Sequence, residues 1–328
     1  GGFRTYWTEV VGTVTAWPSL LAMAATWDPA AVRSYAKAVG EEFVGKGANT
    51  LLGPSVNVHR VARNGRNFEY LSGEDPFLGS VLARAYVEGA QANDLIAVVK
   101  HWIFNEQETN RGTESSNVDL KTAWELYYPP FSAAVGAGVD AAMCSYNRVN
   151  GEHACSNADQ FRVLKQDMGF QGFVQSDWWA SKFGKLGGGL DQDMPGNDLN
   201  YTELEDFEAE VNWDAVDESV TRILTAMYRA NVMNTTKCAP PNCKEFFLAN
   251  VSTPLHIALA RRLAAESIVL LKNEGGLLPL RYPATRRIAI VGAAASAPAW
   301  DPEGVSQNED EDPNVSSIAW RIGDIYSG

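Results

Sequence analysis

The chain has 328 residues, 45% hydrophobic and 20% charged, a globular composition long enough for one large domain and part of another. Its formal net charge is −13, and an acidic surface repels phosphate backbones and anionic lipids, so neither nucleic acid nor membrane is an expected partner. The uncharged stretch from Val10 to Trp27 contains Pro18, several threonines and two tryptophans, so it reads as a buried strand followed by a helix start and not as a membrane span.

In chain order, residues 30–46 predict a helix and 49–56 a strand. The same pairing recurs at 78–93 and 95–100, near 121–136 and at 139–145, and at 159–168 and 172–176. Repeated alternation of this kind predicts an α/β fold, a parallel sheet with crossover helices, of the (β/α)8 TIM-like barrel type. Residues 214–231 form a strongly periodic helix with an acidic start. Residues 234–254, rich in Thr, Pro, Asn and Cys, read as a linker. A further helix over 255–272, a buried strand at 287–292 and a long loop at 296–316 open a second α/β unit.

The four cysteines fall in two local pairs, Cys144 with Cys155 and Cys238 with Cys243, each spanning loop-like residues. Neither pair has a second CxxC or a histidine at metal spacing, so disulfides are the better reading, and they imply an oxidising compartment. Asn-x-Ser/Thr acceptor patterns stand at Asn200, Asn234, Asn250 and Asn314. Together these features predict a secreted, extracellular glycoprotein whose signal peptide is outside this chain. His59, His101, His153 and His256 are scattered, with no HExxH spacing, so no metal or other cofactor is expected.

Three clusters carry candidate chemistry. Lys100 and His101 end a strand, where a turning backbone can send both side chains into one pocket; a surface lysine beside a core histidine is the plainer alternative. The loop Asn64-Gly65-Arg66-Asn67-Phe68-Glu69 presents an arginine fork to hydroxyls or carboxylates, or holds a loop salt bridge. Asp177 follows a buried strand and precedes Trp178 and Trp179, where a barrel keeps its catalytic acids; a helix N-cap is the alternative. Asp191 and Asp193 read as fixing a strand-end loop.

The segments GPSVNVHRVARNGRNFEYLSGEDP (53–76), VVKHWIFNEQETNRG (98–112), MCSYNRVNGEHACSN (143–157), GFQGFVQSDWWA (169–180) and GLDQDMPG (189–196) resemble, in order, the β-glucosidase branch of glycoside hydrolase family 3. RRLAAESIVLLKNEGGLLPL (261–280) resembles that family's entry into its second domain. The resemblance implies a barrel at 1–233, the linker at 234–254, and at 255–328 the beginning of a C-terminal α/β sandwich domain. It implies retaining hydrolysis of terminal β-D-glucosyl residues from β-glucosides or oligosaccharides, with Asp177 as the nucleophile. Arg66, Lys100, His101, Arg111, Met143, Tyr146 and Trp178 would surround the sugar. Of the family's DGPxGxR-like sugar-binding segment, Arg4 survives in the opening GGFR. No glutamate here matches the general acid, which is expected in the remainder of the second domain; residues 1–328 alone are then expected to be weak or inactive. The run KHWIFNEQ lacks the histidine loop of the family's β-N-acetylglucosaminidases. A β-xylosidase or other exo-β-glycosidase of the same family, or an inactive carbohydrate-binding homologue, is the remaining alternative.

Overall fold

The computed structural model describes residues 12–181, 188–196, 212–234, 238, 243–281, 283–285 and 287–291. Arg4, Asn200 and Asn314 lie outside the described residues, as does the expected loop at 296–316.

Helices α1 (Leu20–Ala25) and α2 (Pro29–Gly45) come first. Two long helices begin with the same device. Asp28 caps α2 by accepting from the Ala30 N–H, and Asp75 caps α3 (Pro76–Gln91) by accepting from Phe77 and Leu78. A proline follows each cap, its fixed φ already helical and its missing N–H one that no helix would pair. Helices α2 and α3 lie close together: a Cβ on Gly89 of α3 would sit 2.4 Å from the Arg33 carbonyl of α2, so any larger residue there forces them apart.

The expected strand at 49–56 pairs in two pieces. β1 is Thr50–Leu51, parallel to β2 (Ile96–Trp102). At Gly53-Pro54 the pairing shifts register: the Gly53 N–H turns back to the Leu51 carbonyl at 2.8 Å and Pro54 has no N–H, while the carbonyls of Gly53 and Pro54 still accept from Val98 and Lys100 at 3.0 and 2.9 Å. Ser55 then bridges Lys100, and the Val56 N–H donates to the Lys100 carbonyl at 2.9 Å. β2 pairs in turn with β4 (Ala141–Cys144), and β4 with β7 (Phe173–Ser176), all parallel, in the order β1-β2-β4-β7. A small second sheet joins β3 (Ser115–Ser116), β5 (Arg148–Val149) and β6 (Glu152–His153). The chain is therefore α/β with a parallel sheet and intervening helices.

Two helices expected as continuous contain a wider turn. Between α4 (Leu120–Thr122) and α5 (Pro129–Gly136), residues Ala123–Tyr127 form a π-turn closed by Tyr128 N–H to Ala123 C=O at 2.9 Å. Pro129 and Pro130 cannot donate to the carbonyls four residues back, which favours the longer ring. A second π-turn, Val163–Asp167, ends α6 (Ala158–Arg162).

One face of the sheet, with Ala97, Val99, Ala142 and Val174, packs with α1, α2, α3 and α5 in the main core. The other bears Ile96, Val98, Ala141, Met143 and Phe173 and meets Ala226 and Ala230 at the end of α7 (Trp213–Arg229). Within 234–254 the chain forms α8 (Lys244–Leu248) and docks on the first described residues: Lys46 Nζ donates to the carbonyls of Gly12 and Ala249 at 2.8 and 2.6 Å. Helix α9 (Pro254–Glu266) packs on α1 and α2 through Ala260 and Leu263.

The strand expected at 287–292 is a correction: the described residues 287–291 have no strand, and Ile288, Ile290 and Val291 are 70, 79 and 90% exposed. A strand exists through its neighbours' hydrogen bonds, and among the described residues nothing pairs with this segment.

Candidate active site

The C-terminal ends of β2, β4 and β7, with the loop before Tyr70, bring most of the expected residues together. β2 aligns Lys100 with Met143 of β4, and Met143 aligns with Gln175 of β7, placing the three at one level of the sheet. The register then slips. Trp102, not His101, pairs with Cys144. His101 is the extra residue of this irregularity, which frees its side chain from strict alternation with Lys100.

Glu69 joins the cationic groups. Its carboxylate lies 2.7 Å from Lys100 Nζ and accepts from Arg66 Nε at 2.8 Å and from a second Arg66 nitrogen at 3.0 Å. Burial alone would raise the Glu69 pKa, but Lys100 and Arg66 hold it well below the usual carboxylate range. Arg66 also donates to His101 Nε2 at 3.1 Å. A guanidinium has no acceptor, so Nε2 accepts, and the ring proton sits on Nδ1, which faces the Tyr70 hydroxyl at 2.7 Å. Burial, then the charges of Arg66 and Lys100, push the His101 pKa well below its ordinary value, so the imidazole is neutral.

Asp177 follows β7. Its backbone N–H donates to the Cys144 carbonyl at 3.1 Å, and the Trp178 N–H donates to its Oδ1 at 2.7 Å. Oδ2 lies 3.4 Å from His101 Nε2, and the Tyr146 phenol feels the charge of the carboxylate. Burial, and then the Asp177 charge, raise the Tyr146 pKa and keep this phenol protonated. The Arg111 guanidinium stacks 3.9 Å from the Tyr146 ring centroid, and Arg111 pairs with Glu108 at 2.6 Å. Glu108 in turn is 3.9 Å from Arg66.

Arg66, Lys100, His101, Met143, Tyr146, Arg111 and Asp177 thus form one connected patch, with Trp178 packed against the apolar cluster that contains Met143. Glu69, Glu108 and Tyr70 belong to the patch as well, and none of them was expected there from the sequence. The two glutamates had a signal: a carboxylate three residues from an arginine, as in Arg66–Glu69 and Glu108–Arg111, is the spacing at which one turn joins the pair. Asp191 and Asp193 hold the loop after β7. Asp191 accepts from the Val174 N–H at 2.7 Å and from Lys165 at 2.8 Å, and Asp193 accepts from Ser181.

Both disulfides are formed, Cys144–Cys155 with Cα atoms 5.3 Å apart and Cys238–Cys243 with 5.0 Å. The first ties the end of β4 to the loop that follows Tyr146. Asn250 is exposed, and its side chain accepts from the Thr13 N–H at 2.9 Å; Asn234 is described in its backbone alone. Among the described residues there is no group of three or more potential metal ligands, and no helix long and apolar enough to cross a membrane.

Among curated proteins, the chain is 38% identical over 327 residues to a probable β-glucosidase L of Aspergillus terreus, covering 94% of this chain and 44% of that protein. It is 40% identical over 287 residues to a β-glucosidase of Rhizobium radiobacter, covering 85% and 34%. The chain therefore spans less than half the length of these relatives. Among solved structures, β-glucosidase D2-BGL from Chaetomella raphigera superposes with a TM-score of 0.76 at 36% identity, covering 84% of this chain and 40% of that one. DesR, a β-glucosidase from Streptomyces venezuelae solved with D-glucose, gives 0.72 at 33% identity, covering 82% and 36%. The model of the glycosyl hydrolase family 3 N-terminal domain matches residues 7–226, and with these relatives it shows that the chain belongs to glycosyl hydrolase family 3.

Proposed function

We propose that the protein containing this chain is a retaining β-glucosidase that removes terminal β-D-glucosyl residues, with Asp177 as its nucleophile. The observation that carries this reading is the setting of Asp177. It lies at a strand end, 3.4 Å from a neutral His101 and electrostatically coupled to Tyr146, with Arg66 and Lys100 joined to the same network.

The Asp177 carboxylate attacks the anomeric carbon while a second carboxyl protonates the leaving oxygen; water then cleaves the glucosyl ester. Lys100, Arg66 and His101 hold the sugar hydroxyls, with Arg111, Met143 and Trp178 shaping the pocket, and the family resemblance adds Arg4 to the substrate-binding residues. Lys100 and Arg66 keep donors beyond those bound to Glu69, because an ammonium carries three and a guanidinium five. The proton-donating carboxyl belongs to the remainder of the second domain.

The same reading places the four parallel strands in a closed (β/α)8 barrel over 1–233, with a linker at 234–254 and the sandwich domain opening at 255. Two disulfides and the acceptor sites at Asn200, Asn234, Asn250 and Asn314 support a secreted glycoprotein. The test is an assay of the full-length protein on an aryl β-glucoside, cellobiose and the matching β-xyloside. Preferential turnover of the glucosides supports the reading; turnover of the xyloside alone, or of none, refutes it.

A further inference from the structure

We propose that Asn57 and Glu106 are positioning residues for His101, acting through a buried hydrogen-bond chain that fixes the imidazole against Arg66 and Asp177. The consequence for catalysis rests on the reading above, in which His101 contacts the sugar.

His101 is the residue that the ladder between β2 and β4 skips, and a buried peptide group outside the ladder needs another partner. Asn57 supplies it on both sides. The His101 N–H donates to Asn57 Oδ1 at 2.8 Å, and Asn57 Nδ2 donates to the His101 carbonyl at 3.1 Å. This two-point contact fixes which way the Asn57 amide faces. Its remaining N–H donates to Glu106 Oε1 at 3.0 Å. Asn57, Glu106 and His101 are 3, 3 and 1% exposed, so water cannot replace a lost partner.

Glu106 is therefore the outer anchor of the chain. Behind it is a cavity of about 400 Å³ lined by Arg60, Phe104, Glu114, Ser116 and Tyr127, which lies beside the Asp177 cluster and not on it. Burial raises the Glu106 carboxyl to about 7, with Asn57 and Arg60 pulling the other way. A glutamine at 106 keeps the carbonyl oxygen that Asn57 needs; a leucine keeps the bulk and removes the acceptor.

The test uses full-length protein carrying Glu106→Gln or Glu106→Leu, each with His101 intact and with His101→Ala. Glu106→Gln is expected to keep kcat/KM within about threefold, whereas Glu106→Leu should raise KM and lower kcat/KM about tenfold or more, as loss of a ligand-orienting partner does elsewhere. In the His101→Ala background Glu106→Leu should add no more than about twofold, because residues acting through one group are not additive. A penalty that persists undiminished without His101, or no penalty at all, overturns the proposal. A crystal structure of Glu106→Leu reads the clamp without an assay. His101 Nε2 should move beyond hydrogen-bond reach of Arg66, about 3.5 Å, and an unmoved ring also overturns it. Lack of β-glucosidase activity in the unmodified protein would sink the proposed function instead, and the crystal structure would still decide the clamp.

Discussion

Glu69 and Lys100 meet at 2.7 Å, joining the loop before Tyr70 to the end of the central strand β2. Glu69 also binds Arg66, so one buried carboxylate holds two cations. Removing its charge leaves those cations facing each other away from water. Glu69→Gln is therefore expected to destabilise the protein by about 3–5 kcal/mol, the range for a broken buried ion pair. It should also raise KM, since Lys100 and Arg66 lose their common anchor. Chemical denaturation and steady-state kinetics check both; unchanged stability would contradict the account.

Glu106 gives a pH signature. Its folded-state pKa, about 7, is above that of an exposed glutamate. A raised acid binds more protons folded than unfolded, so its contribution to stability falls as pH rises from about 4.5 to about 7. Asp140, also raised by burial to about 7, acts in the same direction. Glu106→Gln mimics the neutral form and removes one of these two contributions. The variant should gain stability relative to the unmodified protein as pH goes from about 4.5 to about 8, by about 3 kcal/mol at most. Thermal midpoints measured across that range decide it; a difference that stays constant with pH would contradict the buried setting of Glu106.

The Cys144–Cys155 bridge closes the loop that carries Tyr146 next to Asp177. Replacing both cysteines by alanine should cost about 2–4 kcal/mol through the freed loop. It should also lower kcat/KM, because Tyr146 loses its tether. The Cys238–Cys243 bridge lies outside the Asp177 cluster, and its removal should leave kcat/KM nearly unchanged. Equal kinetic effects from the two double variants would contradict this division.

Much of this arrangement was legible in the sequence because apolar periodicity reports burial directly. The helices at α2, α3 and α7 and the strands β2, β4 and β7 fall within a few residues of their expected positions. What escaped was what depends on partners. The shift at Gly53-Pro54, the π-turns before Pro129 and at Val163–Asp167, and the slip at His101 are properties of hydrogen-bond registers. The segment 287–291 shows the opposite error: a β-like run of apolar residues is no strand where nothing pairs with it. In the site, the cations were found and their carboxylates Glu69 and Glu108 were not. A buried acid that serves as a counter-ion looks, in sequence, like any loop acid.

The central claim is that Asp177 forms the covalent bond to the sugar. Asp177→Ala in the full-length protein should lower turnover by about 10³-fold or more, but loss of activity alone does not identify a nucleophile. The direct measurement is trapping with a 2-deoxy-2-fluoro-β-glucoside that has a good leaving group, followed by proteolysis and mass spectrometry of the labelled peptide. The account predicts one fluoroglucosyl ester, on Asp177 in the segment Ser176-Asp177-Trp178. An ester on any other carboxylate, or inactivation with no covalent adduct, would contradict it.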